Sequence, residues 1–357
     1  MLVAGSSLAL QRAAAVSFTL GITSVAIRAG SYRFRRRHYV GANMKHLTFA
    51  LCVVFACGEL GAQTNVWKPS PGHTQLPIWP GAVPDAQPVP GPEAVLSETN
   101  WVVAEKPFVF VVNVSQPTMT VYSAKGINAG VAVVVFPGGG YNALAIDLEG
   151  TEICDWLNSK GITAVLLKYR VPTKPKVGRY AESPQALEDA QRTLGLVRFH
   201  AAEWHINPYK IGVIGFSAGG HMVAATSTRF DKRLYPAIDA ADKVSCRPDF
   251  ALAFYPGHLS PFHPDDPDSW THENQLELNP NVRVTSNTPP TFLLQAQNDP
   301  VDDVRNSMAY SLALRNAKVP VELHCMRRAD TALGCGARGF RLQNGPSWWR
   351  SGWAQSG

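Results

Sequence analysis

The fold of this chain is decided by residues 210–222, which read KIGVIGFSAGGHM. The first seven of these residues predict an apolar strand, and Ala218–Thr226 predicts a helix. Between them, Gly215, Ser217 and Gly219 satisfy the pattern G-x-S-x-G. In this strand–turn–helix context the pattern predicts a nucleophile elbow, a tight turn that lifts the serine hydroxyl above the sheet edge. The alternatives are an ordinary glycine-rich turn or a phosphate cradle, although the full Walker pattern is absent.

A second glycine-rich turn follows another apolar strand upstream. Residues 131–136 read VAVVVF, the continuous apolar run of a strand buried on both faces, and FPGGGY follows from Phe136. Consecutive glycines let backbone N–H groups converge, and acyl transfer needs such donors for the developing oxyanion. We therefore expect Gly139, Gly140 and the N–H of Ala218 to form an oxyanion hole. Taken alone, a triple glycine is more often a flexible turn.

Two further segments are candidates for shaping a pocket. Tyr141 and Asn142 directly follow the glycine run and are predicted to contact the substrate. The long basic loop at residues 171–184 is a candidate rim. A plain surface loop is the alternative reading for both.

Strands and helices alternate across the middle of the chain. The runs FVFVVNV and TMTVYS predict two early strands that form an antiparallel edge. Further strands are expected at 131–136, 162–169, 210–216, 250–255, 291–297 and 319–324, and helices at 148–160, 184–204, 218–226 and 303–317. This alternation predicts the α/β class, with a mostly parallel central sheet and helices on both faces.

The two glycine motifs, in this order, resemble the α/β-hydrolase superfamily, and more narrowly its secreted esterase branch that contains acetylxylan and feruloyl esterases. The resemblance covers residues 107–324. It implies an α/β-hydrolase fold and serine hydrolysis of a carboxylic ester on a small molecule or oligosaccharide, with no metal and no organic cofactor. Pro137 departs from the pattern, because many relatives carry a histidine before the glycines.

The resemblance places the triad acid after a late strand. The strand TFLLQAQ is followed by NDPVDDV, in which Asp299 occupies the expected place. Its role would be to hold the imidazole tautomer and to stabilise the imidazolium. Asp302 and Asp303 are rivals, although Asp303 suits the N-terminus of the next helix. A plain loop or capping carboxylate is the other reading.

The triad histidine is missing from its expected place. The resemblance calls for a Gly-Gly-His-Gly-Phe-like turn shortly after the strand VPVELH, yet no histidine follows His324. Residues 325–357 show no helical period and are rich in Arg, Gly, Cys and Trp, as expected of a GC-rich gene read out of frame. Reading one nucleotide back from Cys325 permits LYAAGGHGFG. We therefore hypothesise a frameshift that scrambles the last strand and closing helix.

The remaining histidines receive simpler interpretations. His221 follows the elbow, and we expect it to pack or hydrogen-bond inside a helix rather than to act as the base. His258, His263 and His272 lie in the loop 256–289, whose spacing matches no compact metal-ligand pattern. We expect a solvated loop there.

The N-terminal region reads as three segments. Residues 1–43 are interpreted as a spurious or transit-like extension, and residues 44–63 as a signal peptide with a charged start and a short apolar core. Residues 64–106 are rich in Pro and Gly and predict an extended arm on the domain surface. The expected location is therefore secreted or periplasmic, with no stable membrane span after processing. Whether Cys154 and Cys246 pair stays open.

Composition and charge limit the function classes. The 357 residues are 45% hydrophobic and 17% charged, which excludes wholesale disorder. The net charge of +6 lies at the ends: the first 43 residues hold six Arg and no acidic residue, and residues 325–357 hold five Arg and one Asp. The middle is therefore mildly acidic, which argues against nucleic acid as a partner. The oligomeric state is not readable from the sequence.

Three rival hypotheses remain at this point. A peptidase on the same fold is one, because a fold does not determine a substrate. A non-catalytic carbohydrate-binding relative is the second, because the base is missing. The third is a frameshifted product that folds poorly and exposes apolar surface.

Overall fold

The computed structural model describes residues 66–103, 106–171, 183–261 and 276–326. Within these ranges the strands are β1 Thr74–Pro77, β2 Ala94–Val103, β3 Lys106–Val112, β4 Thr118–Tyr122, β5 Ala132–Phe136, β6 Ala143–Ala145, β7 Thr163–Lys168, β8 Ile211–Phe216, β9 Phe250–Phe254, β10 Thr291–Ala296 and β11 Val321–Met326. The helices are α1 Glu152–Asn158, α2 Pro184–Phe199, α3 Ala218–Thr228 and α4 Arg305–Asn316. A π-helical turn, Asp147–Thr151, leads into α1, and a short 3₁₀ turn covers Ala240–Lys243.

The main sheet has eight strands in the order β1-β4-β7-β5-β8-β9-β10-β11. In this order, all neighbouring strands from β7 to the β11 edge run parallel. At the other edge, β4 is antiparallel to β7, and β1 is antiparallel to β4. The central strands β5, β7, β8, β9 and β10 are buried along their whole length, as their unbroken apolar runs require. The predicted α/β architecture with a mostly parallel sheet is confirmed.

Both early strands are present, but only the second lies at the predicted antiparallel edge of the main sheet. β4 lies in the main sheet between β1 and β7, whereas β3 lies in a separate three-stranded sheet between β2 and β6. Strand patterns give the local conformation, but partners are chosen by packing between distant segments. Neither β2 nor β6 was anticipated.

The Pro- and Gly-rich segment is part of the domain rather than an arm on its surface. β1 adds a strand to the main sheet, and Trp79 is only 4% exposed. The indole Nε1 of Trp79 donates to the buried carboxylate of Asp189 at 2.8 Å. The guanidinium groups of Arg170 and Arg192 lie over its ring, 5.9 and 5.8 Å from the centroid. These contacts of Trp79 are made with residues far away in the sequence, so the Pro and Gly content of the segment did not predict them.

Helix ends differ from the sequence expectation by a few residues. α2 ends at Phe199 rather than at 204, and α4 begins at Arg305 rather than at 303. In the helix predicted for 148–160, the first turn is π-helical. Cys154 and Cys246 are both buried and carry free thiols, so they do not form a disulfide.

Several predictions fall outside the described residues. These are the extension 1–43, the signal peptide 44–63, most of the loop 171–184, His263, His272 and the tail beyond Met326. No helix in the described part of the chain combines the length and apolarity that crossing a bilayer requires.

Candidate active site

Ser217 occupies a strained turn between β8 and α3. Its backbone has φ +50° and ψ −116°, a conformation that non-glycine residues rarely adopt. The turn packs closely against the end of β5, since a Cβ at Gly219 would lie 2.0 Å from the carbonyl oxygen of Phe136. The strand–turn–helix geometry predicted for the elbow is therefore present.

The chain around β9 braces this turn. The backbone N–H of Ser217 donates to the carbonyl of Phe254 at 3.0 Å, and the N–H of Gly257 donates to the carbonyl of Ser217 at 3.4 Å. Backbone bonds on both sides oppose relaxation of the strained φ. The serine is thus held at the carboxyl end of the parallel strands, where open α/β sheets bind ligands.

The glycine run after β5 folds back as a tight loop beside the serine. Gly139 has φ +131°, and a Cβ there would lie 2.2 Å from the carbonyl of Ala143. The carbonyl of Gly139 accepts the N–H groups of Asn142 and Ala143 at 3.0 and 3.1 Å. Within the described residues, the N–H groups of Gly139 and Gly140 have no acceptor.

The loop approaches the nucleophile closely. A Cβ on Gly138 would lie 3.2 Å from the Cβ of Ser217. Ala218 is the first residue of α3, and the first N–H groups of a helix lack an intrahelical acceptor. The N–H groups of Gly139, Gly140 and Ala218 therefore belong to two neighbouring backbone turns, as an oxyanion hole requires.

Tyr141 and Asn142 differ in their surroundings. Tyr141 is 5% exposed, and its hydroxyl lies 2.7 Å from Nδ1 of His221. Asn142 is exposed, and its amide donates to the carbonyl of Gly140 at 3.1 Å. Tyr141 therefore forms an interior wall behind the loop, and Asn142 braces the loop from outside. Contact of either side chain with substrate stays a prediction.

His221 is a buried, hydrogen-bonded side chain. Burial lowers its pKa to about 4, and the positive charge of Arg229 acts in the same direction. A histidine that is neutral throughout the physiological range and bonded to Tyr141 agrees with the expected packing role.

Asp299 has a well-defined carboxylate orientation after β10. Its Oδ1 accepts the N–H groups of Val301 and Asp302 at 2.9 and 3.0 Å. The side-chain amide of Gln295 donates to Oδ2 at 3.3 Å. An oriented carboxylate at this strand end suits the triad acid, which must direct an imidazole.

Asp302 is a buried carboxyl group whose pKa is influenced by the hydroxyl of Ser217. It is 4% exposed, and burial raises its pKa to about 7, although the Ser217 hydroxyl opposes the shift. The carboxylates of Asp299 and Glu149 add to the increase in pKa. In the part of the chain that the structure describes, Oδ2 of Asp302 takes part in no hydrogen bond.

The third rival, Asp303, has a local structural role. Its Oδ1 accepts the N–H of Arg305, the first residue of α4, at 2.9 Å. Asp303 precedes the N-cap residue Val304, so it supports the first N–H of the helix from one position outside the cap.

Glu149 is the site residue that sequence reasoning missed. Its side chain lies in the π-helical turn and is 4% exposed. Oε2 accepts the N–H of Gly138, and Oε1 accepts the hydroxyl of Tyr255, both at 2.7 Å. Burial raises the pKa of Glu149 to about 7, although both hydrogen bonds oppose the shift. The available signal was an acidic residue between the apolar positions of a predicted helix.

The described residues place no histidine at the expected base position and no metal-binding cluster at the site. His324 lies on β11 and contacts the carboxylate of Glu322. The histidine that the frameshift hypothesis would restore falls beyond Met326, outside the described residues, where the given sequence has none. Among the residues that the structure describes, no group of three or more acidic, histidine or cysteine side chains is arranged to hold a metal ion.

Comparisons with known proteins agree with this geometry. Residues 133–330 match a family model described as alpha/beta hydrolase fold. The chain is 30% identical over 217 residues to an acetylxylan esterase of Xylanibacter ruminicola, covering 58% of this chain and 42% of the relative. It is 30% identical over 197 residues to endo-1,4-beta-xylanase B of Butyrivibrio fibrisolvens, covering 53% of this chain and 30% of the relative. It thus spans less than half the length of either.

Among solved structures, a similar one is the acetyl ester-xyloside bifunctional hydrolase from Caldicellulosiruptor lactoaceticus. The two chains are 29% identical, with a TM-score of 0.54. The match covers 79% of this chain and 94% of that one.

Proposed function

We propose that this chain, which belongs to the α/β-hydrolase family, hydrolyses carboxylic esters through Ser217. The observation that carries the proposal is the strained serine at the N-terminus of α3, beside a glycine loop in which the N–H groups of Gly139 and Gly140 have no acceptor among the described residues. This pairing of a half-buried serine hydroxyl with preorganised N–H donors suits acyl transfer.

The proposed chemistry has two half-reactions. The Ser217 hydroxyl attacks the acyl carbonyl, and the N–H groups of Gly139, Gly140 and Ala218 stabilise the oxyanion. A histidine takes the serine proton and delivers it to the leaving alkoxide, and Asp299 orients that histidine. Water then cleaves the acyl-enzyme by the same route. We assign the histidine to the alternative reading frame beyond Cys325, because the printed chain has none after His324.

The proposed substrate is an acetyl ester on a plant-type polysaccharide fragment. Support comes from the names of the relatives, an acetylxylan esterase and an acetyl ester-xyloside hydrolase. We also propose that the protein is exported after cleavage of residues 44–63, which is supported by the charged start and apolar core of that segment.

The test combines gene sequencing with esterase assays. The gene is resequenced across codons 318–340, and the printed and frame-restored chains are compared on p-nitrophenyl acetate and acetylated xylo-oligosaccharides. We expect the restored chain to turn over both substrates and Ser217→Ala to lower kcat by about 10⁴-fold or more. We expect the printed chain to be at least about 100-fold slower, because it lacks the base. A restored chain without Ser217-dependent turnover contradicts the proposal.

A second candidate is a non-catalytic protein that binds carbohydrate esters. The observation in its favour is the absence of any histidine after His324. Calorimetric binding of acetylated xylo-oligosaccharides without acetate release, in a chain whose printed tail is confirmed by sequencing, would favour this candidate. Turnover of an aminoacyl-proline amide instead of acetyl esters would identify a peptidase.

A further inference from the structure

Glu149 connects the chain segments on both sides of the nucleophile. In the sheet, β8 lies between β5 and β9, and β8 leads directly into Ser217. The oxyanion loop, Gly138–Gly140, follows β5, and Tyr255 follows β9. One carboxylate accepts the N–H of Gly138 through Oε2 and the hydroxyl of Tyr255 through Oε1. It therefore spans the strand end that carries the nucleophile.

We propose that Glu149 is a positioning residue of the acyl-transfer site, and that its carboxylate holds the oxyanion loop against the nucleophile elbow. This inference rests on the proposed function, since an oxyanion loop matters only where an acyl group is transferred. Glu149 does not touch the reacting atoms in this scheme. It acts through the backbone of Gly138.

The packing of Gly138 shows why this backbone is sensitive. A Cβ on Gly138 would lie 2.6 Å from the carbonyl oxygen of Phe216 and 3.2 Å from the Cβ of Ser217. The loop backbone therefore rests directly on the elbow. A displacement of about 1 Å in such a contact is enough to cost roughly 100-fold in rate.

In the oxyanion loop, the N–H of Gly138 is hydrogen-bonded, whereas the N–H groups of Gly139 and Gly140 have no acceptor among the described residues. The N–H of Gly138 is used by Glu149, and the carbonyls of Gly138 and Gly139 accept N–H groups from Ala145 and from Asn142 and Ala143. These bonds anchor the loop from both sides. The N–H groups of Gly139 and Gly140 then remain for the oxyanion.

A purely structural role predicts something different. Buried carboxylates are commonly compensated by a cation, as Glu188 is by Arg170 at 2.9 Å. In the described part of the chain, Glu149 forms no ion pair, and its neighbours Asp147 and Asp302 are acidic. Two neutral donors at the site, the N–H of Gly138 and the hydroxyl of Tyr255, stabilise its carboxylate instead. The hydrogen bonds that compensate its burial therefore also fix the position of the oxyanion loop.

The test uses three variants of the full chain, in the version that shows Ser217-dependent turnover. Glu149→Ala removes both acceptors. Glu149→Gln keeps an acceptor for Gly138, because the Tyr255 hydroxyl can rotate to accept from the new amide. Glu188→Ala is the matched control, since it removes an equally buried glutamate from α2.

We expect Glu149→Ala to lower kcat for p-nitrophenyl acetate by about 10- to 100-fold, with KM changed by less than about threefold. Glu149→Gln should restore kcat to within about fivefold of the parent, because the bond to Gly138 survives. Glu188→Ala should lower the unfolding temperature while leaving kcat within about twofold.

A second readout does not depend on turnover. The Gly138 amide is followed by ¹H–¹⁵N NMR and hydrogen exchange in the same variants, and Glu149→Ala should accelerate its exchange by about 10-fold or more. Unchanged exchange overturns the inference, whatever the kinetics. Faster exchange with unchanged kcat also overturns it, because the loop would then be held without catalytic effect. If no version shows Ser217-dependent turnover, the proposed function fails, and the exchange result alone decides whether Glu149 holds the loop.

Discussion

His221 gives a pH-dependent stability that can be measured by removing it. Its imidazole is buried behind the elbow with Nδ1 at 2.7 Å from the Tyr141 hydroxyl, and burial lowers its pKa to about 4. In the unfolded chain a histidine has a pKa of about 6.5. Between pH 6.5 and about pH 4, this histidine is therefore protonated in the unfolded chain and neutral in the folded protein, which favours unfolding.

The magnitude follows from this difference in pKa. Each pH unit between two pKa values corresponds to about 1.4 kcal/mol, so His221 removes roughly 3 kcal/mol of stability as the pH falls from about 6.5 to 4. Glu149 and Asp302 act with the opposite sign. Their pKa values are raised to about 7, so they remove stability as the pH rises through the same interval. The His221 contribution therefore has to be measured as a difference between two chains.

The assay compares the parent chain with His221→Asn, which retains a polar group near the position of Nδ1. Urea unfolding at pH 7, 6, 5 and 4 gives the free energy of unfolding of each chain. At pH 7 we expect the variant to be less stable by about 1–2 kcal/mol, because it leaves a small cavity. The difference should shrink and then reverse, changing by roughly 3 kcal/mol in total by pH 4. A difference that stays constant within about 0.5 kcal/mol would refute the reasoning.

Three further predictions concern separate parts of the domain. Gly139→Ala should lower kcat at least about 100-fold or prevent folding, because its Cβ would lie 2.2 Å from the Ala143 carbonyl; kinetics at parental level would contradict this. Trp79→Ala should destabilise the domain by about 3–5 kcal/mol, because the indole is buried and bonded to a buried carboxylate; thermal unfolding within about 1 kcal/mol of the parent would count against the integrated arm. Cys154 and Cys246 should resist alkylation in the folded protein and react after denaturation, as mapped by mass spectrometry, and prompt labelling of either would contradict their burial.

The motif of the nucleophile was predictable because it is local. A strand, a G-x-S-x-G turn and a helix lie within residues 210–228, and the turn itself requires glycine at Gly215, where a Cβ would lie 2.2 Å from the carbonyl oxygen of Gly219. The positive φ of Ser217 lies within this segment, and hydrogen bonds with Phe254 and Gly257 hold it in place. The central parallel strands were equally readable, because burial on both faces leaves an unbroken apolar run.

Residues that act through distant partners were not readable. Trp79 and Asp189 are 110 positions apart, and Glu149 and Tyr255 are 106 positions apart. No periodicity or spacing rule links such pairs, because the chain brings them together only when the sheet assembles. The missed partners of β3 and β4 have the same cause.

By itself, the sequence determined the order of the central strands along the chain, the position of the serine turn and the glycine loop, and the family resemblance. Each of these depends on contacts within a few residues, where side-chain size and backbone freedom decide the conformation. Only the tertiary structure decided that the Pro- and Gly-rich segment contributes a strand to the main sheet, that Asp302 is a buried carboxyl group, and that the carboxylate of Glu149 accepts the N–H of Gly138. Burial and hydrogen bonding between distant segments produce those features, and both come into existence only when the chain has folded.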